Sequence, residues 1–565
     1  MSNFKQAGCV IAALSIGVGM PLSAQDTTAS TAENAATCSD LIGASVPKDQ
    51  IGLKTSGAEV TTAEDIAASG EGTAQIPAHC LVSGAIHPFD PDAPDILFKL
   101  ALPLDWNSKV LMMGGGGFNG SVPNVAGNVP AGPADQPNPL GRGYAVFGSD
   151  SGHQANEFNS QDGSFALNQE AARNFGGDAL KKTRDVAVFL VQQHYGAEIE
   201  QRYFAGGSTG GREALAAITR WPDDWDGAIA WYPAWNDVAA LLGGHHANRA
   251  LAQPGAYPDT PARQLIFDAA MAECDGLDGA QDGLISNQTL CNATFDPRTT
   301  QMNGKPVMCQ EGQTAADACL TDAQITALEV MNQGARFNFP LASGETQYPG
   351  YNVWGSDLGL TNRDHAVQPI ITFLTLGTTQ PAMPMERSAP YISVLLDQWI
   401  KYSVTRDPNF DTLSLDAENP GAWGTRISEL STLLDTRVDL DQFHENGGKL
   451  LLAHGLSDVL VSTRATQQYY LRLQARMDPE VVDEFVRYYE VPGYGHAVST
   501  DFNAAWDSLT ALENWREDDT PPADQIVTDT IKVPGRTRPM CDYPGWPKYI
   551  GTGSLDDAAS FVCAH

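Results

Sequence analysis

Three residues stand in the chain in an order and at places that could carry out acyl transfer. Ser208 lies in FAGGSTGG (204–211), Asp458 closes KLLLAHGLSD (449–458), and His496 ends FVRYYEVPGYGH (485–496). A serine hydroxyl is a poor nucleophile near neutral pH unless a base takes its proton and a third group orients that base. Gly206-Gly207-Ser208-Thr209-Gly210 fits G-x-S-x-G, in which the serine occupies a sharp strand-to-helix turn. In a chain with 54 glycines that match is unspecific alone. The order serine, acid, histidine supplies the weight, with the acid at the end of a later strand and His496 in the loop after the last one. The other histidines are less well placed. His454, inside the Asp458 segment, reads as support for that loop, and His153, His245 and His246 read as hydrogen-bonded structural residues.

A tetrahedral intermediate needs donors for its oxyanion. The peptide N–H of Thr209, next after the nucleophile, is one candidate. The other belongs to the loop after an early strand, where GGGGFNG (114–120) offers Gly116 or Gly117, and the sequence does not separate them. Gly115, Gly117 and Gly120 also match a dinucleotide fingerprint, but SVPNVAGNVPAGP, which follows, cannot form the helix that motif requires.

The elements around these residues alternate. DILFKLALPL (95–104), KVLMM (109–113), YAVFGSD (144–150), RYFAG (202–206) and GAIAWY (227–232) read as strands. ALKKTRDVAVFLVQQHYG (179–196) and REALAAITR (212–220) read as helices. Alternation stops over 234–446 and resumes with strands at 449–458 and 485–496 and helices near 463–476 and 503–516. This predicts an α/β fold, a mostly parallel sheet with helices on both faces. The insertion then sits at the sheet's C-terminal edge, where such folds bind ligands.

Composition bounds the rest. The chain has 565 residues, 42% hydrophobic and 18% charged, as expected of a globular protein of two or three structural units. Lys5, the apolar stretch 9–20 and Leu22-Ser23-Ala24 read as a signal peptide over 1–24, too short to span a bilayer, which needs ~20 residues. Residues 25–37 are small and polar, and are expected to be disordered. Export leaves eight cysteines, and sequence neighbours suggest the pairs Cys38–Cys80, Cys274–Cys291, Cys309–Cys319 and Cys541–Cys563, though spacing does not prove connectivity. A net charge of −34 with no basic patch argues against nucleic acid and anionic membranes as partners. Oligomeric state is not legible.

CDGLDGAQDGLI (274–285) gathers Asp275, Asp278 and Asp282 in one short turn. With the carbonyls of Ala280 and Leu284 they form a set that a hard cation such as Ca²⁺ could take. The loop is not an EF-hand, because its twelfth position is Ser286, and a solvated acidic turn is the alternative.

Taken together, GGSTGGRE, HGLSD, VPGYGH, the acidic loop and the ending RPMCDYPGWPKYIGTGSLDDAASFVC resemble the tannase/feruloyl esterase family over roughly 38–563. The resemblance implies an α/β-hydrolase domain in two parts, 25–233 and 447–565, around a lid domain at 234–446. It implies a Ser208–His496–Asp458 triad, a structural Ca²⁺ in the lid held by Asp275, Asp278, Ala280, Asp282 and Leu284, and the four disulfides above. The chain departs from the family at one place. Members commonly have a disulfide joining the residue before the nucleophile to the residue after the histidine; here these are Gly207 and Ala497. Activity without that tie is expected, as is a disulfide in an active Gly207→Cys/Ala497→Cys variant, read by thiol titration.

The expected protein is a secreted or periplasmic serine esterase acting on small esters of aromatic acids of feruloyl, galloyl or terephthaloyl type. Trp231, Tyr232, Trp354 and Phe373 are aromatic pocket candidates, with core packing as the alternative for each. A serine hydrolase of other specificity, such as a peptidase, and a non-catalytic ligand-binding protein on the same scaffold are the competing readings.

Overall fold

The computed structural model describes residues 37–565, so the expected signal peptide at 1–24 and residues 25–36 of the expected disordered stretch lie outside the described residues. Ten strands form one mixed sheet. They are β1 Ser45–Val46, β2 Gly57–Ile66, β3 His79–His87, β4 Ile96–Pro103, β5 Lys109–Met113, β6 Ala145–Ser149, β7 Gln201–Gly207, β8 Gly227–Trp231, β9 Lys449–Gly455 and β10 Val486–Val491. Their order is β1-β2-β3-β4-β6-β5-β7-β8-β9-β10. Strands β1 to β4 pair antiparallel, β4 meets β6 antiparallel, and every pair from β6 to β10 is parallel.

The parallel strands are near-continuous apolar runs such as KVLMM and GAIAW because helices cover both faces. Ala179–Tyr195 packs Val186, Leu190 and Val191 against one face, ending at Gly196 with φ 64°. Ser508–Asp518 packs Leu509, Leu512 and Trp515 against the other. The helix expected near 503 starts five residues later, because Ala504–Ala505 pairs with the strand Ile526–Asp529. Strands β1 to β3, not foreseen from the sequence, extend the sheet on its antiparallel side. All four expected disulfides are formed.

The chain leaves the sheet after Trp231 and returns at Lys449. The segment between supplies most of a second apolar cluster, including Leu242, Ile266, Leu328, Leu396 and Trp399, which Phe118, Phe175, Val459, Leu460 and Ala465 of the flanking parts join. Its two ends meet: Thr436 N donates to Trp235 O at 2.7 Å, and Val238 N donates to Asp435 Oδ1 at 2.8 Å.

Candidate active site

The sheet order decides which loops meet. Strand β5 neighbours β7, so the Gly114–Gly120 loop lies beside the turn holding Ser208. Asp458 follows β9 and His496 follows β10, both at the same sheet edge. Ser208 sits at φ 61°, ψ −124° between β7 and the helix Thr209–Arg220. Backbone packing forces this turn to be glycine-rich. A Cβ on Gly206 would strike Gly210 O, and one on Gly210 would meet Gly115 O at 2.7 Å.

Asp458 is fully buried, and its Oδ2 accepts from His496 Nδ1 at 2.7 Å. Its Oδ1 accepts the N–H groups of Leu460 and Val461 at 2.8 and 3.0 Å. Burial alone would push this carboxyl up, but the charge of His496 and the hydrogen bonds of His454 and His496 outweigh it. They hold the carboxyl well below the usual range. The ionised oxygen makes Nδ1 the donor and leaves Nε2 free to act as a base. Among the described residues, the hydrogen bonds of His496 include none to Ser208, a contact that commonly tightens only with substrate bound.

His454 does support the acid. It is fully buried, its Nε2 lies 3.3 Å from Asp458 Oδ2 and 3.1 Å from Val461 O, and Thr466 Oγ1 pairs with its Nδ1 at 2.9 Å. His245 is buried against Leu415 O at 3.0 Å. His153 stacks on Phe165 at 3.9 Å, and burial pushes its imidazole down to about 4. His246 forms part of the helix Asp237–Leu251.

In the glycine loop, the N–H groups of residues 114, 115, 118, 119 and 120 all have acceptors. Among the described residues no acceptor is found for the N–H of Gly116 or of Gly117, or for that of Thr209. Gly117 has φ 57°, and a Cβ there would strike Ser160 O; Gly116 faces open space. Thr209 Oγ1 donates to Gly117 O at 2.5 Å, tying the two donor segments together.

Glu213, which the sequence reading missed, holds this loop from inside. It is buried on the helix after Ser208 and accepts Gly115 N–H at 2.9 Å and the side-chain amide of Asn119. No motif announces it, since its partner lies 98 residues away in the chain.

Tyr232, one of the aromatic pocket candidates, stands beside His496. Strand β8 separates β7 from β9, so the residue after Trp231 falls between the Ser208 turn and the Asp458 loop. Tyr232 is buried, its ring centroid stands 4.7 Å from that of His496, and its φ is 35°. A bulky residue held there stores about 1–3 kcal/mol of strain. A Cβ on Gly207 would meet its Cε2 at 2.5 Å and its Cζ and Oη at 2.8 Å. The expected Gly207→Cys/Ala497→Cys bridge therefore requires the ring of Tyr232 to move, because that ring fills the space that a cysteine side chain at position 207 needs.

Trp231 and Trp354 are core residues, packed on Trp506 and Phe295 respectively. Phe373 is 43% exposed. It lies on the helix Gln368–Leu374, whose Ile371 and Leu374 line a void of about 20 Å³ beside His496. Gln368, Thr372 and Phe373 of the same helix line a cavity of about 390 Å³ with Arg363 and Arg387.

In the acidic loop, Asp275 Oδ1 accepts the N–H groups of Gly283 and Leu284 at 3.0 and 3.2 Å, and Asp278 Oδ1 accepts that of Ala280 at 2.9 Å. Asp278 Oδ2 is buried with no partner, and burial pushes that carboxyl up to about 6. Asp282 is ion-paired with the buried Arg538. Among the described residues, no group of three or more acidic, histidine or cysteine side chains stands close enough to hold a metal. The loop thus offers two carboxylate oxygens without a hydrogen-bond partner among the described residues, Asp275 Oδ2 and Asp278 Oδ2, while Arg538 holds Asp282 Oδ2.

The family model described as tannase and feruloyl esterase matches residues 80–564, and the chain belongs to that family. An uncharacterized esterase of Agrobacterium fabrum is 38% identical over 534 residues, 93% of each chain. The mono(2-hydroxyethyl) terephthalate hydrolase of Piscinibacter sakaiensis is 29% identical over 562 residues, 90% of this chain and 88% of the relative. The crystal structure of feruloyl esterase B from Aspergillus oryzae superposes with a TM-score of 0.72 at 22% identity, covering 92% of this chain and 98% of that one. The fold is that of an α/β-hydrolase, and the protein is a carboxylic ester hydrolase.

Proposed function

We propose that the protein is an exported serine esterase that hydrolyses esters of small aromatic carboxylic acids through Ser208, His496 and Asp458. Ser208 Oγ attacks the ester carbonyl while His496 Nε2 takes its proton, and Asp458 holds the imidazole with Nδ1–H toward itself. The N–H groups of Thr209 and of Gly116 or Gly117 receive the oxyanion. Collapse breaks the ester C–O bond, and His496 returns the proton to the departing alcohol. Water, deprotonated by His496, then attacks the acyl-enzyme, and Ser208 leaves with the proton.

The observation that carries this reading is the buried Asp458–His496 pair at the sheet edge that also bears the Ser208 turn. Relatives named for feruloyl and terephthalate esters support the aromatic acid, as does the cavity beside Phe373. Of its two arginines, Arg363 is committed to Asp357 and Asp501 at 3.3 and 2.9 Å. Arg387 is exposed, with its guanidinium over the Phe158 ring, and could meet an acidic substrate group. The four disulfides support export. Calcium in the loop of Asp275, Asp278 and Asp282, with the carbonyls of Ala280 and Leu284, belongs to the same proposal as a structural ion.

The test is hydrolysis of methyl ferulate, methyl gallate, mono(2-hydroxyethyl) terephthalate and p-nitrophenyl acetate by wild type and Ser208→Ala. Turnover of an aromatic ester, lost in the variant, is expected. Turnover of the acetate alone withdraws the aromatic acid, and equal rates in the variant remove Ser208 as nucleophile.

A further inference from the structure

We infer that Tyr232 is a positioning residue for His496: its ring is the wall that sets where the imidazole stands relative to Ser208. The inference rests on the proposal that His496 is the catalytic base. Three independent observations carry it.

The first is topology. Strand β8 lies between the nucleophile strand β7 and the acid strand β9, and Tyr232 is the first residue beyond it. Its backbone is fixed on both sides. Tyr232 N donates to Ala453 O at 2.7 Å, and the preceding carbonyl, Trp231 O, accepts Ser208 N–H at 3.1 Å. The backbone of the nucleophile and the origin of the tyrosine ring are thereby one rigid unit.

The second is contact. The ring reaches Gly207 on one side and His496 on the other, with centroids 4.7 Å apart and an interplanar angle of 53°. Residue 207 has no Cβ, and any side chain there would strike Cε2, Cζ and Oη of the tyrosine. The left-handed backbone at 232 is retained although the residue is bulky, which is where strain marks a functional constraint.

The third is a second brace on the same loop. Tyr494 is buried, lies 6.4 Å from the Tyr232 ring, and its hydroxyl donates to Ala497 O at 2.8 Å. Ala497, next after His496, has φ 65°. Tyr232 thus bounds the imidazole from the ring side while Tyr494 fixes the backbone that carries it. Burial, with the nearby Asp458 charge, pushes the Tyr232 phenol up, so it stands there as a neutral wall and not as an acid or base.

The test compares Tyr232→Leu, Tyr232→Ala and Tyr232→Phe on the ester that wild type turns over, with thermal midpoints measured alongside. Displacement of a catalytic group by about 1 Å costs on the order of 10²-fold. The Leu and Ala variants are therefore expected to lose roughly that factor in kcat with KM within about threefold, and Phe is expected to stay within about threefold of wild type. A covalent tie should replace the ring. In Tyr232→Ala/Gly207→Cys/Ala497→Cys the vacated space admits a bridge, thiol titration finds no new free thiols, and kcat recovers at least about tenfold until reductant is added.

A folded Tyr232→Leu with kcat within threefold of wild type overturns the inference. So does a kcat loss shared equally by Phe and Leu. If Ala and Leu do not fold, the triple variant decides: bridged and active it supports the wall, bridged and inactive it overturns it. Undiminished hydrolysis by Ser208→Ala or His496→Ala sinks the proposed triad instead, leaving the two failures distinct.

Discussion

The carboxylate of Glu213 accepts the backbone N–H of Gly115 at 2.9 Å, so the helix that begins just after Ser208 also holds the glycine loop beside it. One helical turn past Ser208, a buried acid fixes the height at which the free N–H groups of Gly116 and Gly117 stand.

Glu213→Ala leaves Gly115 N–H and the Asn119 amide buried without acceptors, at about 1–3 kcal/mol each. The expected result is a lower thermal midpoint and a kcat reduced by about 10²-fold, the scale of losing one oxyanion donor. Glu213→Gln should be milder. Asn119 Oδ1 is buried and unpartnered, so the Asn119 amide can turn to accept from the glutamine amide that this variant introduces. Activity and melting of the two variants side by side check the ordering; equal losses would remove the loop-holding role.

Asp458→Asn keeps the shape of the acid and changes its hydrogen bonding. An amide at that position can present its NH₂ to Nδ1 and select the wrong tautomer, for which a kcat loss of about 10⁴-fold is expected. The wild-type carboxyl is depressed, so the stability it confers is complete above the ordinary value of about 3.9 and is lost only as pH falls below that. The acid limb of the activity profile should therefore not report Asp458.

Asp435 behaves in the opposite sense. It is buried where the ends of the inserted segment meet, its Oδ2 has no partner, and burial pushes the carboxyl up to about 8. Between about pH 4 and 8 the unfolded chain has released this proton while the folded chain keeps it. Stability therefore falls as pH rises through that window, by up to about 1.4 kcal/mol per unit. Asp435→Asn retains an oxygen for Val238 N–H and should flatten the dependence. Its midpoint is expected to match wild type at pH 4 and exceed it at pH 8, and a constant offset at both values would refute the assignment.

Calcium has a direct readout. Bound ion at a hundred times its Kd adds about 2.7 kcal/mol to the folded state. Verified removal by chelator should lower the midpoint, and added Ca²⁺ should restore it. An unchanged midpoint leaves Arg538 as the counter-charge of Asp282.

Much of the parallel sheet is legible because buried strands such as KVLMM and GAIAW are short apolar runs between turn residues. The helix Ala179–Tyr195 is legible because its apolar positions recur with helical period and stop at Gly196. Strand β2, GAEVTTAEDI, is not, because its acidic outward positions dilute the pattern and its pairing partners lie some 20 residues on. The positions of Ser208, Asp458 and His496 follow from chain order. Glu213 does not, since it matters through a glycine 98 residues earlier. Tyr232 is legible as an aromatic pocket candidate, but its place beside His496 is not, since it follows from β8 lying between two other strands. Core packing is the competing reading of Tyr232 because burial is common to both roles.

The meeting of the two ends of the inserted segment has a consequence for how such a protein can diversify. Because Trp235 and Thr436 are joined by a hydrogen bond, the roughly two hundred residues between them begin and end at one point. A segment with coincident ends can be cut out and replaced as a cassette without rethreading a single strand of the sheet. The pocket's inventory of side chains can then be exchanged wholesale while the Ser208 turn, the Asp458–His496 pair and the Tyr232 wall stay in the frame that receives it.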